Sequence, residues 1–374
     1  MKKKILFVPF VFLVVISLLI VGCSSPTPTP SGPSPTPTPP TPAPGSPTPA
    51  PPEEDVIEIT FAYYMPPPQP GVFGMPQGLQ NWADRIEKET NGRVKITFYP
   101  AGSLLKNEDS YQGVVDGVAD MTHWSPHVDP ATFELFQIFL LPGLKWPKPE
   151  NKYWLMREIF ADFPELGEEF KGVEILSFNF TSAPLLSFAK DQVVRTPADV
   201  KGMKIGTGAL YAPYIEAFGA APVVGSPADR YLSLEKGVID GQILPWAGIK
   251  AFRTYEVTKS YTDPVGLHEA IAVEIMNKDV WDSLPLDIQE IFLKWNDYLG
   301  FEATRGAYYE DSLGRNLALE YGGNIYTPTA EEFKLWADAL APIRDSWVQE
   351  KEAEGLQVRP ILDELMRLID KYNE

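Results

Sequence analysis

The chain has 374 residues, with 50 acidic against 32 basic side chains and a net charge of −18. That balance argues against nucleic acid or an anionic membrane surface as a partner, and a single cysteine excludes a disulfide framework. Beyond the first fifty or so residues the chain is long enough for two domains with sizeable cores.

Lys2, Lys3 and Lys4 precede an apolar run from Ile5 to Leu19. The run is too short and too abruptly ended for a comfortable membrane span, so residues 1–22 are read as a signal peptide. It closes on Ile20-Val21-Gly22-Cys23, which resembles a bacterial lipobox, whose cysteine is alkylated by diacylglycerol after the leader is removed. An uncleaved anchor with a chance cysteine is the alternative to that reading. Residues 23–54 then combine the lipidated Cys23 with a Pro/Thr-rich tether. Proline at nearly every second position fixes φ and leaves nothing apolar to bury, so this stretch is expected to be extended polyproline II. At ~3.1 Å per residue it reaches on the order of 80 Å. The folded part is expected over residues 55–374.

Ile57 to Ala62 alternates apolar and polar residues and predicts a first strand. After a Pro- and Gly-rich loop, Leu79, Trp82, Ala83 and Ile86 show helical spacing, ended by Asn91-Gly92. Val94 to Phe98 predicts a second strand. Glu108 to Val115 predicts a helix ending at Gly117, and Val118 to Met121 leads into the next strand. Alternating β and α is the pattern of an open α/β sheet.

The pattern then recurs. Tyr111-Gln-Gly-Val-Val-Asp-Gly117-Val-Ala-Asp120 is answered by Tyr231-Leu-Ser-Leu-Glu-Lys-Gly237-Val-Ile-Asp240. Two matched units suggest two similar lobes, with the loops after Asp120 and Asp240 lining a shared site, because ligands in open α/β sheets bind beyond the carboxyl ends of strands. Taken alone, Gly-[VI]-x-Asp is also a common helix-to-strand joint. Farther on, Ile288, Ile291, Phe292, Trp295 and Leu299 form one stripe after Pro285, continuing to Gly322-Gly323. A helix of some 35 residues is far above the usual dozen and long enough to span a two-lobed domain. Thr329 and Glu332 form a capping box for a helix running to Glu354, and residues 360–372 give a last one.

In this order the motifs resemble the DctP family, the solute-binding proteins of tripartite ATP-independent periplasmic (TRAP) transporters, over about residues 57–350. The resemblance is carried by Trp82-Ala-Asp-Arg-Ile-Glu-Lys-Glu-Thr-Asn-Gly-Arg-Val-Lys-Ile, by Gly113 to Met121, and by Arg195-Thr-Pro-Ala-Asp-Val-Lys-Gly202-Met-Lys-Ile. Tyr231 to Gly241 and the helix after Pro285 add to it. It implies an α/β, two-lobed, periplasmic-binding-protein-like fold with mixed sheets and a long bracing helix, with crossovers near 181–190 and 262–270. It also implies an extracytoplasmic protein that closes on a small organic acid and hands it to TRAP permease membrane subunits, without cofactor or nucleic acid. One departure stands out. Where the family carries a carboxylate-gripping arginine after Lys-Ile, this chain has Gly206; the family's Glu is Asp229, and its polar pair before Pro245 is Ile243-Leu244.

Arg230, beside Tyr231 in the second repeat, is the leading replacement cation, with a solvated helix face as its plain reading; Lys190 and Arg195 lie near the lobe crossover. Trp124 and Trp246 follow the two matched strands, and Tyr64, His123 and Tyr211 occupy loops of the same kind. Aromatic walls suit an acid with an apolar body. Asn179, Thr207 and Gln242 are candidate donors to a carboxylate. His123 and His127 are four apart, but Pro126 and Pro130 prevent the helix that would aim both at a metal. An extracytoplasmic hydrolase needs a nucleophile with a positioned base, and neither Gly-x-Ser-x-Gly nor a second cysteine is present. A sensor accessory that feeds a receptor, and an adhesin on a stalk, are also compatible with the sequence.

Overall fold

The computed structural model describes residues 56–71 and 73–374. The signal peptide, the lipidated Cys23 and the tether to residue 54 lie outside the described residues.

In chain order the elements are β1 (Ile57–Tyr63), α1 (Met75–Glu89), β2 (Val94–Tyr99), α2 (Ser110–Val115) and β3 (Met121–Trp124). Then come α3 (Pro149–Asp162), α4 (Glu165–Glu168), β4 (Val173–Phe180), β5 (Leu185–Phe188), β6 (Lys204–Thr207) and α5 (Ala212–Ala217). They are followed by β7 (Ala221–Val224), α6 (Arg230–Glu235), β8 (Gly241–Leu244), α7 (Trp246–Ala251), β9 (Ser260–Thr262) and β10 (Ile271–Asn277). The chain ends with α8 (Lys278–Ser283), α9 (Leu286–Glu320), β11 (Asn324–Tyr326), α10 (Ala330–Ala353) and α11 (Val358–Asn373).

Two mixed sheets result, ordered β2-β1-β3-β10-β4 and β11-β9-β5-β8-β6-β7. Their strands are interleaved in sequence. The chain passes from the first sheet to the second between β4 and β5, at residues 181–184, returns at residues 263–270, and passes over again along α9. The first crossing is shorter than the sequence suggests, because β5 already pairs with β8 from Leu185. The helix expected from Glu108 begins as a 3-10 turn, Asn107–Asp109, and the strand after Gly117 starts only at Met121.

The repeated motif folds the same way twice. Gly117 and Gly237 take φ of 72° and 67°, the left-handed region in which a side chain is disfavoured, and the chain leaves each helix there. The matched aspartates then stitch strands together. Asp120 Oδ2 accepts from Thr60 N and Oγ1, both at 2.7 Å, and Asp240 Oδ2 accepts from Lys204 N at 2.9 Å. Both precede their strands, so the two aspartates act at the strand ends opposite the loops that follow β3 and β8.

α9 is the brace between the sheets, and three of its glycines bring it into backbone contact. A Cβ on Gly300 would stand 2.4 Å from Phe178 O in β4. One on Gly306 would stand 2.4 Å from the Gly74 carbonyl carbon at the start of α1, and one on Gly314 would stand 2.0 Å from Trp246 O in α7. The first two contacts are in the first lobe and the third is in the second. α10 spans both lobes too. Trp336 and Leu340 join the core of the second lobe, where Trp336 meets Phe218 edge-on at 4.7 Å, while Val348 joins the core of the first. The Thr329 capping box forms as the sequence predicts, with Thr329 Oγ1 accepting from Glu332 N and Glu332 Oε2 accepting from Thr329 N.

Candidate functional site

The carboxyl ends of the parallel strands β1 and β3 in one lobe, and β6 and β8 in the other, lead into loops beside the crossings, where ligands of open α/β sheets bind. Three groups of buried polar side chains stand out, and the residues picked out from sequence fall partly within them.

The first group is built on Arg230. Instead of lying on a solvated helix face, its side chain is 3% exposed and runs under β6 and β8. Nη1 donates to Gly206 O at 2.9 Å and to Ile243 O at 3.3 Å, and Nη2 donates to Gly225 O at 3.2 Å. A guanidinium has five N–H donors, so two remain after these three bonds. Among the described residues it has no carboxylate partner, and burial pushes its pKa down. Gly206 explains the placement: a Cβ there would lie 3.0 Å from Arg230 Cδ and 3.3 Å from Nε. Position 206 is bare because the side chain of residue 230 fills the space that a side chain at 206 would occupy. Thr207 is fully buried and its hydroxyl donates to Gly208 O at 3.1 Å.

The second group lies on the first sheet, on the face toward α9. His123 and Glu274 are paired across β3 and β10, with Nδ1 and Oε1 2.7 Å apart, and Asn179 Nδ2 donates to the same oxygen at 2.6 Å. All three are fully buried, yet His123 Nε2, Asn179 Oδ1 and Glu274 Oε2 have no hydrogen-bond partner. Tyr64 stacks on His123, ring centroids 5.8 Å apart. Tyr64 is still 39% exposed while desolvation raises its hydroxyl's pKa, as for a group at the edge of a concave site.

The third group joins the lobes. Lys152 of α3 is fully buried and bonds both Glu269, on the 263–270 crossing, and the hydroxyl of Tyr308 in α9. Burial pushes Lys152 down and Glu269 up. Nearby, Asp263 Oδ2 accepts from Trp246 Nε1 at 2.8 Å, and Asp311 Oδ1 accepts from Ala247 N at 2.7 Å, tying α7 to the crossing and to α9. Desolvation raises both carboxyls above their ordinary range. Apart from Trp246, none of these residues is suggested by the sequence. They come from four segments far apart in the chain, with no local pattern to mark them.

The remaining candidates are placed as follows. Trp124 is fully buried, stacked on Tyr111 at 5.5 Å and against Phe133 at 4.7 Å. Trp246 packs on Tyr261 at 5.0 Å. Gln242 donates to Thr254 Oγ1 at 2.7 Å and keeps a buried, unpaired Oε1. Tyr211 lies flat on His268, centroids 4.7 Å apart. His127 turns away from His123 to Ser125. Lys190 contributes its carbonyl to Ser260 Oγ, and Arg195 its carbonyl to Trp336 Nε1.

Two lobes of interleaved α/β segments, joined at crossings and braced by one long helix, define a solute-binding protein of the periplasmic type. A family model, DctP, bacterial extracellular solute-binding protein family 7, matches residues 74–351, and the chain belongs to that family. It is 26% identical over 317 residues to the C4-dicarboxylate-binding periplasmic protein DctP of Rhodobacter capsulatus, covering 80% of this chain and 89% of that protein. The Vibrio cholerae protein of the same description is 26% identical over 272 residues, 69% and 77% of the two chains. Among solved structures, a TRAP periplasmic solute-binding protein from Desulfovibrio salexigens, an open complex, superposes with a TM-score of 0.75 at 22% identity, over 84% of this chain and 96% of that one. One from Rhodoferax ferrireducens, in complex with copurified benzoate, gives 0.68 at 26% identity, over 85% and 98%. The family resemblance and the two-lobed fold expected from sequence are thus borne out, and the protein is extracytoplasmic. Among the described residues, no helix is long and apolar enough to cross a membrane.

Proposed function

We propose that the cleft between the lobes binds a small organic acid with an apolar or aromatic body, in order to present it to TRAP permease subunits. The observation that carries this reading is Arg230. A buried guanidinium without an acidic partner, two N–H donors unused, at the carboxyl ends of β6 and β8, is suited to a carboxylate. Tyr64 and Tyr211 supply aromatic surface from opposite lobes, and His123, Asn179, Thr207 and Gln242 supply polar groups beneath it. Trp124 and Trp246, packed at the ends of the matched strands, hold the walls. The benzoate complex of the Rhodoferax ferrireducens relative supports an aromatic acid. The site acts by binding and release, without turnover: ligand held by both lobes favours the closed form, and the permease distinguishes closed from open.

The test is a thermal-shift screen of aliphatic, keto, hydroxy and aromatic carboxylates against neutral analogues. A ligand at a hundred times its dissociation constant stabilises by roughly 2.7 kcal/mol, a shift of several degrees. Stabilisation by acids alone supports the reading, and stabilisation by neutral compounds alone sinks it. The same proposal places the protein on a membrane through a diacylglyceryl Cys23 and the Pro/Thr tether. Lipid labelling of the chain is expected to disappear in Cys23→Ala, and labelling that persists rules out that anchor.

A further inference from the structure

His268 is the one histidine on a crossing between the lobes. It is 5% exposed, its Nδ1 is buried without a partner, and Tyr211 of the second lobe covers it face to face while Tyr214 meets it edge-on at 5.7 Å. His127 approaches from the first lobe, in the 3-10 turn Pro126–Val128 after β3. Its Nδ1 is 2.6 Å from Ser125 Oγ. The serine hydroxyl has a single proton, which it donates to Ile271 O. It therefore accepts from His127, so Nδ1 carries the His127 proton and Nε2 of the neutral ring offers a lone pair.

The two rings are close enough for their charges to oppose one another. Burial pushes His127 below its ordinary range and His268 to about 4, the latter with a further contribution from His127. Around them the titratable groups are few. Burial keeps the Tyr211 and Tyr214 hydroxyls protonated, Tyr214 being pushed up to about 12. Glu269, next to His268 in the chain, is turned to Lys152, and Asp129 caps Thr132 N. Among the described residues neither imidazole bonds a carboxylate, so nothing in the unliganded protein favours charging either ring.

We propose that His127 and His268 form a proton-accepting pair at the ligand site, so that an organic anion binds together with one proton. The proton comes from solvent and converts one neutral imidazole to imidazolium. At His127 this turns Nε2 from acceptor to donor, able to bond a carboxylate oxygen. A carboxylate has about four lone-pair positions, enough to take Arg230 from the second lobe and an imidazolium from the first side of the cleft. Mutual repulsion of the rings limits uptake to one proton. The inference rests on the organic-acid reading above and adds to it a proton that Arg230 alone does not require.

The sign follows from linkage. Between the depressed pKa of the free pair and its raised value beside the anion, binding takes up a proton, so affinity increases as pH falls. The probe is whichever of benzoate, mandelate and D-glucuronate gives the largest thermal shift with the full-length protein. Calorimetry between pH 5 and 7.5, in two buffers of unlike ionisation heat, is expected to show close to one proton taken up. The dissociation constant is expected to rise toward tenfold per pH unit across the titrating range. His268→Gln and His127→Gln are each expected to flatten that dependence. The chain has three histidines, so ring C–H resonances of the unaltered protein give a check that needs no variant. One of the two signals, from His127 or His268, is expected to move to its charged position on adding the acid at a pH where both were neutral. Tight binding with a pH-independent constant and equal heats in both buffers overturns the proton pair and leaves the organic-acid reading intact. Absence of binding by every acid of the screening panel at every pH removes both.

Discussion

Arg230→Ala is expected to weaken organic-acid binding by at least tenfold, about 1.4 kcal/mol. The loss has two sources. The carboxylate loses a charge-assisted partner, and three carbonyls, those of Gly206, Gly225 and Ile243, lose the donor that holds β6, β8 and the β7–α6 turn in register. Arg230→Lys separates them. An ammonium on a flexible stem retains the charge but not the planar fork, so it is expected to recover only part of the affinity. Calorimetry gives the dissociation constants, and the melting temperature without ligand shows how much of the change belongs to the fold. An affinity for acids unchanged in Arg230→Ala takes the residue out of the site. Gly206→Ala is informative in the same experiment. Its methyl would press on Ile239 Cδ1, the end of a movable side chain, at 2.8 Å, and on Arg230 Cδ, behind the guanidinium, at 3.0 Å. The fold should survive while the guanidinium shifts, so binding should weaken more than stability.

The largest effect on stability is expected at Gly314. A Cβ there would sit 2.0 Å from Trp246 O and 2.6 Å from the carbonyl carbon, and a backbone carbonyl at a helix start cannot step aside as a side chain can. Gly314→Ala is expected to destabilise by about 3 kcal/mol, the upper range for overpacking, and to lower the melting temperature by several degrees. Gly167→Ala is the contrasting control. It lies in α4 with nothing within 4 Å of the added carbon, so removing backbone freedom from the unfolded chain should leave stability unchanged or slightly raised. Urea unfolding of both variants checks the pair. A Gly314→Ala protein as stable as its parent would mean that α9 and α7 are not in contact as described.

Elements with a strong local signal were legible in the sequence. The period-2 run at Ile57, the 35-residue stripe after Pro285, the Thr329 capping box and the repeated Gly-to-Asp joints all form where the pattern puts them. What the sequence could not convey was which face a residue takes when both faces are buried. β3 is a four-residue strand buried throughout, so alternation gives no clue that His123 turns toward α9 while Trp124 enters the opposite core. Arg230 reads equally as a ligand-binding cation or as a solvated helix residue, because the space that receives it is opened by Gly206, 24 positions earlier, and only the fold brings the two together. Lys152, Glu269 and Tyr308 meet for the same reason, through topology alone. His268 carries no motif, and its significance comes from Tyr211 of the second lobe lying on it.

The glycines of α9 bear on how the protein moves. Gly300 and Gly306 fasten the helix to the first lobe and Gly314 fastens it to the second, each through backbone packed too closely to slide without separating. Any closing stroke must then be taken up as flexure in the two turns between Gly306 and Gly314, a span of ~12 Å. That makes the helix a lever with its fulcrum beside Tyr308 and Asp311, the first tied through Lys152 to the 263–270 crossing and the second to α7. A bend of about 10° at such a fulcrum carries a point ~25 Å away through roughly 4 Å, on the scale of a cleft opening to admit a small acid.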